Sequence, residues 1–422
     1  MRALAKAAIA AGVLVLISLL LLAACGGGGG GEDKTSETKT TTPTTGKETT
    51  IVIGNLTDVT GVSSAAQEIL NIALKDAVGY FNDEKLIPNA TLKIVTYDGQ
   101  FDPAKDMPGY EWLKERGAKL IVTGVTSTPV TLKDTVNREH MPLFCLSGVL
   151  DTLSPPGYVF APATLTEHEQ MTLIKWIAEH DWDYKTKGPA KIGAASWAEP
   201  NSLNAVKTLE TYVKAHPDQF QWVGTYLTQV GSFNWSTEAQ ALKDCDYVFA
   251  NAPIMTFVRE YRMIGGKGKF LGGGPHIALM KGIYDAGLWD EIDGMLFASP
   301  ASWWGEDDML AQLRETLLYK NNPGKAKEIK QNGGAYNGFD NYYVVLDIIR
   351  KAAETVGAEN VTPEEIYKAA ISYSLVINGL ERYSFTETKR HSCNYYCILR
   401  ADKNKEDLVR ADPNWYPTQT QP

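Results

Sequence analysis

Short apolar runs alternate with amphipathic segments along most of this 422-residue chain, and this alternation constrains its fold more than any other feature. Runs at residues 51–56, 92–97, 120–123 and 141–146 are typical of buried strands. The segments between them have helical periodicity; residues 64–81, for example, place apolar side chains on one helical face. This β-α-β-α-β order predicts a mostly parallel, doubly wound sheet.

The same pattern restarts after Glu167 and predicts a second sheet. Strands are predicted at 191–195, 222–226, 247–250, 270–272 and 295–298, with helices between them, and later helices at 307–319, 339–356 and 363–371. Three short strands at 375–377, 382–385 and 395–400 follow. Two doubly wound α/β lobes with a strand-rich tail is the simplest architecture, since the chain is too long for one core of typical size.

The N-terminal residues predict export and lipid anchoring. Arg2 and Lys6 precede an apolar run that ends in Leu22-Ala-Ala-Cys25, a lipobox. An ordinary secretory signal with a chance cysteine is the alternative. We predict a signal peptide at 1–24, lipidation at Cys25, a flexible tether at 25–50 and an extracytoplasmic location on the bacterial cell membrane.

Charge and cysteine content narrow the class of protein. Removing residues 1–24 changes the net charge from −9 to −11, which argues against nucleic acid as a partner. Four cysteines remain after Cys25 and allow three pairings. Cys393 and Cys397 cannot easily pair with each other along one strand, because four extended residues span about 13 Å. Cys145 lies in an apolar run and is predicted to be buried. The spacing favours no metal site.

Motifs of common enzyme classes are missing from the sequence. It contains no G-x-S-x-G, no H-E-x-x-H and no phosphate-binding G-x-x-x-x-G-K-[ST] motif. Gly272-Gly-Gly274 follows a predicted strand but does not match a dinucleotide fingerprint. We therefore predict a protein that is not an enzyme and has no cofactor.

Several strings together resemble the leucine/isoleucine/valine-binding proteins, a type I periplasmic solute-binding family of ABC transporters. They are Ile51-Val-Ile-Gly54 with Thr60-Gly61, Thr96-Tyr-Asp-Gly-Gln100 with Asp102-Pro103, Gly124-Val-Thr-Ser127, Met141-Pro-Leu143 to Ser147, and residues 337–349. Their order and spacing agree over residues 51–400. The resemblance implies two Rossmann-like lobes that are joined by three crossovers and close on a ligand.

By this resemblance, crossovers are placed near Thr164, Pro300 and Gly379. Lobe 1 would comprise 51–163 plus 301–378, lobe 2 would comprise 164–300 plus 379–412, and 413–422 would be a C-terminal tail. Ligands of open α/β sheets bind beyond the carboxyl ends of the strands, where helix N-termini present free N–H groups. A carboxylate suits that environment.

The resemblance places ligand contacts in loops of both lobes. In lobe 1 the candidates are Thr60, Gly61, Thr126, Ser127, Thr128, Ser147, Gly148 and Val149; helix capping or plain turns are the alternatives for them. In lobe 2 they are Ser196, Trp197, Asn201, Asn251, Gly274 and His276. The family has a threonine where Val149 stands, and amino-acid binders place an acidic group near Gly274 and His276, where this sequence has none. Glu199 is a possible substitute.

Three functional hypotheses follow. The first is a monomeric substrate-binding lipoprotein that delivers a branched-chain amino acid, an amide or an aromatic carboxylate to an ABC permease. The second is a sensory receptor of the same fold that signals to a membrane partner. The third is an anchored hydrolase that uses Asp58, Asp98 or Glu199. Trp303-Trp304 would line the cleft or, as we favour, pack the hinge.

Overall fold

The computed structural model describes residues 48–146, 148–250, 252–331 and 334–422. Its strands are β1 (Thr49–Thr57), β2 (Ala90–Asp98), β3 (Ala118–Thr123), β4 (Leu143–Cys145), β5 (Val159–Phe160), β6 (Ala190–Trp197), β7 (Phe220–Thr228), β8 (Tyr247–Ala250), β9 (Lys269–Gly272), β10 (Leu296–Ser299), β11 (Ser374–Ile377), β12 (Leu380–Ser384), β13 (Tyr395–Asp402), β14 (Asp407–Arg410) and β15 (Tyr416–Pro417).

The helices are α1 (Ser64–Asp83), α2 (Asp106–Glu115), α3 (Thr128–Glu139), α4 (Thr166–Trp176), α5 (Tyr184–Lys187), α6 (Pro200–Ala215), α7 (Ser236–Leu242), α8 (Met255–Met263), α9 (Gly274–Ala278), α10 (Met280–Ala286), α11 (Met309–Asn321), α12 (Ala326–Gln331), α13 (Gly338–Val356) and α14 (Pro363–Ala370). No helix among these described residues is long and apolar enough to cross a bilayer. The predicted signal peptide, Cys25 and nearly all of the predicted tether lie outside the described residues.

The first sheet has the strand order β2-β1-β3-β4-β5, and all of its pairs are parallel. Alternate side chains of β3 enter two apolar layers: Leu120 and Val122 pack with α1 and α13, whereas Ile121 packs with α2 and α3. Helices on both faces bury the sheet, which explains why its strands are nearly continuous apolar runs.

The second sheet has the order β14-β13-β10-β9-β8-β6-β7, with β15 paired to β13. Strands β6, β7, β8, β9 and β10 run parallel to each other, and β13 pairs with β10 in the antiparallel direction. Helix α4 packs on β10 and β13 and against α6. The two sheets confirm the predicted doubly wound α/β class.

Three chain segments run between the two sheets, and hydrogen bonds connect them to one another. Ala161 N–H donates to the Arg390 carbonyl (2.8 Å), and Ser392 N–H donates back to the Ala161 carbonyl (2.9 Å). The Arg382 guanidinium donates to the Pro300 carbonyl (2.7 Å). Gly379 lies in the tight turn of the β11–β12 hairpin, where a positive φ is required, and the chain enters the second sheet further on, at β13.

The four cysteines of the described residues are free and buried, as predicted for Cys145. Trp303 and Trp304 are also buried. Trp303 Nε1 donates to Asp407 (3.0 Å), and the Trp304 ring stacks at 6.2 Å from the Tyr336 ring. These two tryptophans therefore pack beside the second crossover.

Candidate functional site

The loops that follow β1, β3 and β4 lie at the carboxyl edge of the first sheet, and those after β6, β8 and β9 lie at the carboxyl edge of the second. Parallel strands bring their carboxyl ends to one edge, so loops distant in sequence become neighbours. Of the predicted site residues that the structure describes, Ser196 and Trp197 end β6, and the others lie in these loops or in the first turn of the helix that follows.

The loop after β1 is held by two carboxylates. Asp58 accepts from the Gly61 N–H and from the N–H and hydroxyl of Ser63. Asp98 accepts from the Thr60 hydroxyl (2.7 Å) and the Val59 N–H (2.8 Å). Partial burial raises the pKa of Asp98, but these hydrogen bonds outweigh it and lower the pKa overall. Both carboxylates thus shape the loop, and the Thr60 hydroxyl already has a partner.

Gly61 permits this loop because an added Cβ would overlap the Gln100 carbonyl and lie 2.7 Å from Asp58 Oδ1. We predict that Gly61→Ala lowers the free energy of unfolding by about 1–3 kcal/mol. Gly79→Ala is the matched control, since nothing lies within 4 Å of its Cβ position on α1 and alanine favours a helix. Urea denaturation of both variants checks the prediction, and an undisturbed Gly61→Ala would contradict it.

The loop between β3 and α3 contains Thr126, Ser127 and Thr128. Ser127 is the N-cap residue of α3, but its hydroxyl makes no capping hydrogen bond, and Ser127 Oγ is buried with no partner in the part of the chain that the structure describes. Thr128 is fully buried, and its hydroxyl donates to Asp106 (2.9 Å) inside the first lobe. Among the described residues, the Ser127 hydroxyl therefore has no partner, whereas the Thr128 hydroxyl is already hydrogen-bonded.

In the loop after β4, Ser147 lies outside the described residues. Gly148 forms a bridge with Leu165, where an added Cβ would lie 3.1 Å from Cys145 Sγ. Val149 precedes a short 3₁₀ turn, and its carbonyl accepts from Thr152. This loop is therefore packed tightly against the segment that leads into α4.

In the second lobe, Ser196 is fully buried near the end of β6, and its Oγ has no partner among the described residues. The neighbouring Trp197 is half-buried; its Nε1 donates to the Ser232 carbonyl (2.7 Å), and its ring lies edge-on to Phe233, which is half-exposed. Asn201 accepts from the Thr166 hydroxyl. The end of β6 thus places the Ser196 hydroxyl, which has no partner among the described residues, beside the aromatic rings of Trp197 and Phe233.

Glu199 does not supply a free acidic group. It is the N-cap residue of α6, and its carboxylate accepts from the Asn201 N–H (2.9 Å) and the Ser202 N–H. Together with Asp58 and Asp98, it is occupied by backbone donors. The three carboxylates of the hydrolase hypothesis therefore serve loop geometry here.

Asn251 lies outside the described residues, and the two remaining candidates follow β9. The Gly274 N–H donates to Glu169 Oε1 (2.8 Å). His276 Nε2 lies 2.7 Å from the Ala250 carbonyl, and His276 Nδ1 accepts from the Gly273 N–H (3.1 Å). Burial lowers the pKa of His276 to about 4, so the ring is neutral at pH 7. The His276 ring therefore connects the end of β8 to the turn after β9.

The first turns of α4 bring these loops together. Glu167 accepts from the Leu150 N–H (3.0 Å) after β4, Thr166 donates to Asn201 after β6, and Gln170 Nε2 donates to the Gly272 carbonyl (3.1 Å) at the end of β9. The sequence alone did not identify Glu167, Glu169 or Gln170 as site residues. A signal was present, because Glu169 and Gln170 occupy the same helical stripe as the buried Leu173 and Ile174.

Several buried polar atoms without a partner belong to the strand ends and helix starts around these carboxyl edges, and others lie elsewhere in the fold. Among the described residues, buried atoms with no hydrogen-bond partner include Ser127 Oγ, Ser196 Oγ, Glu167 Oε2, Gln170 Oε1 and Asn337 Oδ1. Burial of a polar group without a partner costs about 1–3 kcal/mol, so such groups are rare unless a ligand or water completes them. These atoms offer both donors and acceptors to a small polar molecule.

Two surface depressions lie elsewhere. One of about 430 Å³ is lined by residues that include Trp176, Arg400 and Asp412, at the opposite end of α4 from Thr166. Another of about 490 Å³ follows residues 178–187. Neither contains any of the unpartnered site atoms named above.

A doubly wound α/β protein whose polar loops meet at the carboxyl edges of two sheets belongs to the class that binds small molecules there. A model of the periplasmic binding protein family matches residues 50–406, more than four fifths of the chain. The chain belongs to this family, which implies an extracytoplasmic location and a solute-binding role. No curated protein matches the sequence at a significant level.

Solved structures with the same fold include three ABC transporter proteins. A branched-chain amino acid transporter protein from Thermus thermophilus with bound valine has a TM-score of 0.74 and 19% identity, covering 89% of this chain and 97% of that one. A fatty acid substrate-binding protein from Thermomonospora curvata has 0.73 and 16%, covering 86% and 92%. A solute-binding protein from R. palustris in complex with 4-hydroxybenzoate has 0.70 and 16%, covering 88% and 98%. These similarities establish the type I periplasmic binding protein fold.

Proposed function

We propose that this chain is the substrate-binding protein of an ABC importer and that it captures a small organic carboxylate between two lobes. The observation that carries the proposal is a pair of hydroxyls, Ser127 Oγ and Ser196 Oγ, that lie at the carboxyl edges of the two sheets and have no partner among the described residues. A carboxylate accepts up to four hydrogen bonds and would complete both donors. Valine and 4-hydroxybenzoate, found in two of the similar structures, both carry this group.

The lobe boundaries remain our proposal. Lobe 1 would comprise 51–163 plus 301–378, and lobe 2 would comprise 164–300 plus 379–412. Sheet membership supports the boundaries at 163/164 and 300/301, because β1 to β5 form one sheet and β6 to β10 form most of the other. The third boundary falls inside the β11–β12 hairpin and rests on the resemblance alone. Rotation about the three hydrogen-bonded crossover segments would close the lobes and remove the solute from water. The closed form would present the surface that the permease recognises.

We also propose that the mature chain begins at lipidated Cys25. Its observed intact mass should exceed that of residues 25–422 by the mass of the lipid. A Cys25→Ser variant should lose this added mass and leave the membrane fraction. An unmodified mature chain of the wild type would contradict the anchor.

Trp197 is expected to contact the apolar part of the solute. Trp197→Ala should weaken binding by roughly 10-fold or more, because a buried aromatic contact contributes about 1.5–3 kcal/mol. Trp182→Ala is the matched control: Trp182 is also half-buried and donates to a carbonyl, that of Gly188 (2.9 Å), but its ring contacts Tyr247 at the amino end of β8. Calorimetric titration distinguishes them, and equal affinities for both variants would remove Trp197 from the site.

The function itself is tested by thermal unfolding of the purified protein with amino acids, amides, aromatic acids and fatty acids. A solute at about 100 times its Kd should stabilise the protein by roughly 2.7 kcal/mol. Native mass spectrometry of the untreated protein would identify a solute that co-purifies. The proposal fails if no class shifts the unfolding temperature and no solute co-purifies.

A further inference from the structure

The second sheet ends in a long strand whose outer side has no neighbouring strand. β7 has nine residues, and β6 is its only partner strand among the described residues. The register shifts once, at Val223, and Gly224–Thr228 then pairs continuously with Gly193–Trp197. A strand at the edge of a sheet presents unpaired N–H and C=O groups that can pair with another chain. The outer side of β7 is therefore open to a further strand.

The other edge strands carry features that discourage such pairing, whereas β7 carries no charge. β2 contains Lys93 and ends at Asp98, β14 contains Asp407 and Arg410, and β5 has only two residues. Charged side chains and short length both oppose edge-to-edge association. Residues 219–237, which include all of β7, contain no Asp, Glu, Lys, Arg or Pro. Within the part of the chain that the structure describes, this is the longest uncharged run.

The same uncharged run exposes apolar side chains to solvent. Val223 is 38% exposed and Leu227 is 41% exposed, and every second side chain of β7 faces solvent in the same way. In the loop that follows, Val230 is 52% exposed and Phe233 is 50% exposed. Exposed apolar side chains that are grouped on a surface mark an interaction site. The edge of β7 therefore combines open backbone groups with apolar side chains.

A second copy of this chain fits the edge in both charge and symmetry. The chain has a net charge of −9, so two copies repel each other over most of their surface. Contact through an uncharged strand avoids that repulsion, and a two-fold axis uses the same surface on both copies. With the axis at Thr225, antiparallel pairing brings Val223 of one protomer opposite Leu227 of its partner. Apolar and β-branched pairs of this kind stabilise a sheet.

We propose that β7 is the interface of a two-fold dimer, in which the second sheets of two protomers continue into each other through antiparallel β7 strands. A homodimer thus replaces the monomer expected from the sequence. A nine-residue strand alone buries less than the standard interface of about 800 Å² per partner. Val230 and Phe233 extend the contact beyond the strand. The dimer is therefore reversible, with a dissociation constant in the micromolar range.

The first test is sedimentation velocity of the Cys25→Ser protein, which has no lipid and cannot associate through shared micelles. Between about 1 and 200 µM, its weight-average mass should rise toward twice the monomer value. Thr225→Lys places two like charges at the axis and should hold the mass at the monomer value throughout. Thr91→Lys is the matched control, because Thr91 is an exposed threonine on β2, the edge strand of the first sheet. It should dimerise like the parent protein.

A second variant tests the axis without adding charge. Facing residues of an antiparallel pair lie about 4.5–5.5 Å apart, which suits a disulfide, so Thr225→Cys should cross-link two chains under mild oxidation. Thr91→Cys should stay uncross-linked.

A protein that remains monomeric at about 200 µM overturns the proposal, and so does a dimer that forms equally well with Thr225→Lys and is not cross-linked by Thr225→Cys. If the protein is monomeric and Thr225→Lys abolishes solute uptake by cells without changing solute affinity, the edge belongs to a membrane partner instead of a second copy.

Discussion

The double variant Ser127→Ala/Ser196→Ala is expected to lose solute affinity by roughly 100-fold or more while its folded state is as stable as the wild type or slightly more so. A hydrogen bond to a charged group contributes about 1.5–3 kcal/mol, and two such bonds are removed. The ligand-free protein loses no hydrogen bond among the described residues in exchange, because both hydroxyl oxygens are buried there without partners. Calorimetric titration and urea denaturation measure the two effects separately.

Thr128→Ala is the control for a buried hydroxyl that already has a partner. Its hydroxyl donates to Asp106, whose pKa is raised by burial, so the substitution should lower stability by about 1–3 kcal/mol. Its effect on affinity should stay below threefold. The assignment of the hydroxyls would be contradicted if the double serine variant lost stability and kept its affinity.

The largest loss of stability is expected for Arg314→Met. Arg314 is fully buried and pairs with Asp340 (2.7 Å), which is 2% exposed, and it also donates to the Ser302 carbonyl (2.8 Å) beside the second crossover. Burial raises the pKa of Asp340, and the Arg314 charge opposes that rise. Removing Arg314 leaves a buried carboxyl without its cation, which costs about 3–5 kcal/mol.

Urea denaturation at pH 7 checks this value. Lys281→Met is the matched control, because Lys281 and Asp285 form a surface ion pair that should contribute less than about 1 kcal/mol. Arg314→Met/Asp340→Leu should recover much of the loss, since no unpaired charge then remains in the interior. A loss below about 1 kcal/mol for the single variant would mean that Asp340 finds another partner.

Much of the fold follows from the sequence because its signals are local. The strand at residues 247–250 and the start of the helix at Pro363 are marked by an apolar run and by a Thr-Pro capping pair. Strands β5 and β15 have two residues each and are too short for such a pattern, and β14 contains only two apolar residues between Asp407 and Arg410. The third crossover was placed near Gly379 by resemblance, but Asn378-Gly379 forms a hairpin turn whose pairing depends on β12.

The site is harder to predict because side-chain direction depends on tertiary contacts. The rule that strand ends carry the site makes Ser127 and Ser196 candidates. The partner of Thr128 is Asp106, 22 residues earlier in the chain, and nothing local indicates that contact. Glu169 escapes a search of the loops because it lies on a helix and reaches the end of β9, about 100 residues later.

The central claim is that a small carboxylate binds between the two carboxyl edges, and a crystal structure with the solute that most raises the unfolding temperature tests it most directly. We expect the carboxylate of that solute within hydrogen-bond distance of Ser127 Oγ and Ser196 Oγ. A solute bound instead in the depression lined by Trp176, Arg400 and Asp412, with both hydroxyls still unpartnered, would contradict the claim.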